Sequence, residues 1–94
     1  MLKWLKKRQK NRLLNEIDIL LAFKESSKET ERFLELSKIK LDEGVPAVSV
    51  ENGIRDYFGK LMLTPGESLS DPERRFFHNI QRRTGAGTGR GLSL

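Results

Sequence analysis

The chain has 94 residues, 36% hydrophobic and 33% charged, with 18 Lys and Arg against 13 Asp and Glu and a formal net charge of +5. One His and no Cys exclude disulfides, cysteine-ligated zinc and thiol chemistry. No run of roughly 18 apolar residues is present to read as a membrane-spanning helix, and the length suits one domain around one small core.

The first predicted helix opens on a basic stub with Leu2, Trp4 and Leu5 at its tip. Further along, Leu13, Leu14, Ile17, Leu20 and Leu21 fall within about 120° of one helical face at about 100° per residue. Ile19, Ala22 and Phe23 occupy the other side, so the helix is apolar almost all round near its end. That surplus predicts burial between elements or an interface, and marks Ile19 and Phe23 as candidate partner-binding residues. Asn15, Glu16 and Asp18 interrupt the apolar run and no small-residue cleavage site follows. The segment therefore does not read as a secretory signal, and a cytoplasmic location is the expectation.

Residues 24–32 contain no apolar side chain. Ser26 followed by Glu29 fits a capping box, predicting a second helix from about 27 to 43 that stops at Gly44 with Pro46 beyond. The pairs Leu34/Leu36 and Ile39/Leu41 have strand spacing, so a hairpin with 45–50 through Asp42-Glu43-Gly44 competes. The Glu- and Lys-rich flank favours the helix.

Ser49 is the expected cap of a third helix carrying Val50, Ile54, Tyr57, Phe58, Leu61 and Met62 at helical intervals. Gly53 and Gly59 either weaken it by roughly 1 kcal/mol each or permit close packing. Thr64-Pro65-Gly66 ends it. Ser70-Asp71-Pro72-Glu73 combines a Ser cap, first-turn acids, an early Pro and Glu at the capping-box position, predicting a helix from 71 to about 83. Beyond it Gly recurs at 85, 87, 89 and 91. The alternation lacks the G-x-G-x-x-G spacing, and no Gly-Lys-Ser/Thr follows, so the tail is neither a dinucleotide fingerprint nor a P-loop. The expected fold is all-α: a small three- or four-helix domain over 1–83 with a long N-terminal helix, then a flexible Gly-rich arm over 84–94.

The charge is unevenly spread. Residues 1–12 carry +6, residues 13–72 carry −5 and residues 73–94 carry +4. Two basic ends flank an acidic middle, an arrangement suited to a polyanion or to pairing with that middle. On the last helix His78, Arg82 and Arg75 fall at about 40°, 80° and 100° from Arg74, opposite Phe76 and Ile80. Arg74, Arg75, His78 and Arg82, with Arg83 beside them, make a candidate nucleic-acid-binding face, since the guanidinium fork contacts phosphate oxygens bidentately. Lys6, Lys7, Arg8 and Lys10 are candidate phosphate contacts at the other end. Their place at a helix N-terminus opposes the dipole.

No nucleophile lies near the lone His78 in sequence, and Asp42, Glu43, Glu51 and Asp56 read as cap, turn and surface acids. No catalytic residue, metal site or cofactor is therefore expected. Membrane association is disfavoured, because the tip's three large apolar side chains do not continue as a stripe. The leading reading is a small basic accessory protein that binds DNA or RNA, or a nucleoprotein assembly, through its ends. The second is a protein-interaction module, an assembly subunit or inhibitor, that docks through the first helix; self-association is its simplest form.

Overall fold

The computed structural model describes residues 6–84 in full, and only the helical backbone of 2–5 and 85–92. It contains four helices: α1 (Leu2–Phe23), α2 (Lys28–Asp42), α3 (Ala47–Leu63) and α4 (Asp71–Leu92), with no strand among the described residues. The tip residues Leu2, Trp4 and Leu5, and all of the Gly-rich arm expected over 84–94 except Thr84, lie outside the fully described residues. The hairpin alternative over 34–50 gives way to helix, a tight turn and helix.

Two expected caps are corrected. Ser27, not Ser26, caps α2, its Oγ accepting from the Thr30 N–H at 3.1 Å. The choice between adjacent serines is made by distant packing. Ser27 Oγ also donates to Thr30 Oγ1, and that hydroxyl lies 2.9 Å from the Tyr57 hydroxyl on α3. Capping at Ser27 thus starts the buried stripe Thr30, Leu34, Ser37, Leu41 in register with α3. The second correction is that α3 begins at Ala47, two residues ahead of Ser49. Pro46 is the N-cap residue: its carbonyl accepts from the Ser49 and Val50 N–H groups at 3.0 and 3.2 Å, and no side chain caps the helix.

The turn before α3 ends α2 cleanly. Gly44 sits at φ 99°, its N–H bonds Leu41 O and the Val45 N–H bonds Lys40 O. This is a Schellman motif, and glycine serves because the left-handed conformation penalises a Cβ. The predicted start of α4 forms in full. Ser70 N–H donates to Glu73 Oε1 at 2.9 Å and Glu73 N–H to Ser70 Oγ at 3.3 Å. A Cβ built on Gly53 or Gly59 meets nothing within 4 Å, so neither glycine serves close packing.

Short links, 24–27, 43–46 and 64–70, make successive helices neighbours. α1 and α3 each touch all other helices, whereas α2 and α4 do not meet among the described residues. The core lies between α1 and α3. Leu13, Ile17 and Leu20 enter from α1, and Ile54 and Phe58 from α3. Leu34 and Leu41, Phe76 and Ile80 close it from the outer helices. Phe58 is fully buried and meets Phe76 edge-on at 5.8 Å. Burying a side chain of that size contributes about 2–3 kcal/mol.

Candidate interaction groove

On each helix the buried side recurs at spacings of three and four. Polar residues occupy some of those positions. On α3 Glu51 falls between Ala47 and Ile54, and on α4 Arg83 follows Phe76 and Ile80. The two meet. Arg83 Nε and Nη2 donate to Glu51 Oε2 at 3.0 and 2.7 Å, while Nη1 and Nη2 donate to Glu16 Oε2 and Oε1 at 2.9 and 2.6 Å. One guanidinium thereby ties α1, α3 and α4 together with four charge-assisted bonds. Burial works against the Arg83 charge, but the hydrogen bonds and fields of Glu16 and Glu51 outweigh it and raise its pKa above the ordinary value. Arg83 is thus held inside the fold, apart from the exposed Arg74, Arg75, His78 and Arg82.

That ion pair also fixes how α1 and α4 lie. Glu16 sits level with Arg83, and the later α1 residues Ile19, Leu20 and Phe23 share a groove with the earlier α4 residues Pro72, Arg75, Phe76 and Asn79. The helices therefore run antiparallel. The groove encloses about 250 Å³, with buried Leu20 and Phe76 among its lining residues. Ile19 and Phe23 remain 52% and 49% exposed along it. Of the charged residues lining it, Glu16 is bound to Arg83, and Arg75 is exposed with no carboxylate at ion-pair distance among the described residues. The arrangement offers an apolar trough with one uncommitted cation on its edge.

The remaining candidates fall elsewhere. Arg74, His78 and Arg82 are exposed on α4, and Arg74 lies 3.9 Å from Asp71. Lys6, Lys7 and Lys10 line a different cleft, against the turn between α2 and α3, with Lys10 Nζ 3.9 Å from Asp42. Arg8 is exposed and does not line that cleft. Among the described residues, no group of three or more His, Cys, Asp or Glu is placed to hold a metal ion, and no helix is long and apolar enough to cross a membrane.

The apolar surplus of α1 pointed to Ile19 and Phe23, and helical phase pointed to Arg75. Their convergence in one groove depends on the docking of α1 against α4, which neither signal contains. The readable sign of the Arg83 ion pair was a polar residue inside a three-four stripe, visible at Glu51 and Arg83 once the buried face is defined. No known protein family, curated protein or solved structure matches the chain.

Proposed function

We propose that this protein is a non-catalytic interaction module that docks a protein partner in the groove between α1 and α4. The observation that carries the reading is the half-exposure of Ile19 and Phe23 beside uncommitted Arg75. Two large apolar side chains left in water at one site, next to a guanidinium, match the anchor-and-rim pattern of protein interfaces. The fitting partner segment offers one large apolar side chain to the trough and a neighbouring Asp or Glu to Arg75. Selection from a displayed random-peptide library tests this, with the Phe23→Ala/Arg75→Glu variant as counter-target. Enrichment of sequences pairing a large apolar residue with an acid is expected. Equal enrichment on both targets, or enrichment of basic sequences, contradicts the reading.

A second reading has its own support. Arg74, Arg75, His78 and Arg82 are all exposed, and their helical phase gives α4 a basic outer face suited to sequence-independent phosphate contact. Arg83 is not part of it, being bound to Glu16 and Glu51. Anisotropy of a labelled oligonucleotide across a salt series measures this directly. On the nucleic-acid reading, Arg75→Glu with Arg82→Glu weakens binding and flattens the salt slope. A slope unchanged by the pair removes that reading.

A further inference from the structure

A second concavity lies at the other half of α1. It encloses about 400 Å³ between the basic start of that helix and the α2–α3 turn. Its apolar part is made by Leu41, Val45, Pro46, Ala47 and Val48. Val48 is 55% exposed there, so apolar surface faces the opening. Its basic part is Lys6, Lys7 and Lys10. The one acid in ionic contact with these lysines among the described residues is Asp42, at the long distance of 3.9 Å from Lys10. Lys6 and Lys7 make no ion pair within the described residues.

The opposite wall adds to this charge. α3 starts here on Pro46, which has no N–H and provides no side-chain cap. Ala47 and Val48, whose first-turn N–H groups lie at the positive end of the α3 dipole, line the same cleft as the lysines. Three lysines and an apolar wall lining one cleft disfavour two kinds of ligand. A neutral hydrocarbon leaves the lysines uncompensated, and a bare inorganic anion leaves Val45 and Val48 in water. The geometry points to a small amphiphilic anion as the occupant: an acyl chain of medium length ending in a carboxylate or phosphate. The apolar body lies on Val45, Ala47 and Val48, and the head group lies among Lys6, Lys7 and Lys10. This site shares no residue with the α1–α4 groove, so it stands or falls independently of the docking proposal.

The test uses the full chain and backbone amide NMR, following Gly44, Val45, Ala47, Val48 and Ser49. Octanoate below its micellar concentration is the probe, with octanol and acetate as its two halves. Octanoate is expected to shift these amides saturably, at least tenfold more tightly than either half. Lys6→Gln/Lys7→Gln/Lys10→Gln is expected to weaken it at least tenfold. Val48→Asp, which removes apolar wall and adds repulsion at an exposed position, is expected to do the same while the Ile54 and Phe58 amides stay in place. The proposal is overturned by octanol or acetate binding as tightly as octanoate, by a triple variant within twofold of the parent, or by the absence of a saturable shift. Binding to phosphatidylglycerol vesicles with no response to monomeric octanoate also overturns it, since the basic stub then serves a lipid surface.

Discussion

Arg75 and Arg83 stand eight residues apart on one helix, and both face α1, yet they are used in opposite ways. Arg83 makes four hydrogen bonds to Glu16 and Glu51 and its side chain is 18% exposed. Arg75 lines the groove with no carboxylate at ion-pair distance among the described residues. The difference lies in what the neighbouring helices offer at each level. At Arg83, α1 and α3 each supply a glutamate. At Arg75, α1 supplies Ile19 and Phe23. A basic side chain next to acids closes a seam between three helices, whereas the same side chain next to exposed apolar groups leaves a surface open to a partner. Sequence charge alone treats the two arginines as equal.

The sharpest way to break that contrast is to remove each arginine in turn. Arg83→Met leaves Glu51 buried and uncompensated, and should cost about 2–4 kcal/mol, read as a fall in Tm on the order of 10 °C or more. Arg75→Met should change stability by less than about 0.5 kcal/mol. Equal losses in the two variants would show that Arg75 is structural as well.

A smaller effect separates the two glutamates. Glu51→Gln should cost about 1–3 kcal/mol by urea unfolding. Glu16→Gln should cost less, because the Glu16 side chain is 20% exposed and Glu51 only 9%. Combining Arg83→Met with Glu51→Leu should recover at least half of the Arg83→Met loss, since a buried charge set can be exchanged for packed apolar groups. No recovery would mean that the geometry of the pair, rather than removal of an unpaired charge, sets the stability.

How much of this was legible follows the range of each interaction. The Ser70–Glu73 box and the Gly44 stop were readable because both are complete within a few residues of chain. Ser27 was mistaken for its neighbour Ser26 because the deciding contact, Thr30 with Tyr57, spans 27 positions. Ser49 lies inside the first turn of α3 rather than at its cap, because the Schellman turn delivers the chain into helix already at Ala47. In the candidate site, Ile19 and Phe23 were visible as an apolar surplus, and Arg75 as part of a basic face. Glu51 reads as a surface acid because an apolar stripe does not distinguish a paired buried acid from a solvated one. The same limit applies to the ion pair that separates Arg83 from Arg74, Arg75 and Arg82.

At the groove itself, Phe23→Ala and Ile19→Ala should each cost about 1 kcal/mol or less, because both side chains are already half in water. A larger loss on thermal melting would make the pair part of the core rather than a docking surface. Another small effect belongs to the surface link between α1 and α2, where Lys38 Nζ lies 2.7 Å from Asp18. That hydrogen bond, opposed by desolvation and aided by the fields of Asp18, Glu35 and Asp42, raises the Lys38 pKa above the ordinary 10.5. A raised lysine pKa stabilises the fold below that ordinary value and ceases to do so as pH climbs through the folded-state value. Lys38→Gln should therefore cost less than about 1 kcal/mol at neutral pH, and the gap from the parent should narrow in alkaline unfolding titrations above pH 10.5. A gap independent of pH would assign the cost to lost packing of the lysine stem.

The most direct measurement of the central contrast is the affinity of one library-selected peptide, apolar with an adjacent acid, for the parent and for Arg75→Glu and Arg82→Glu separately. A loss of at least tenfold with Arg75→Glu, and less than threefold with Arg82→Glu, is what an α1–α4 docking groove predicts. Equal losses at the two positions would contradict it, because the basic face of α4 would then act as a whole and the groove would have no part in recognition.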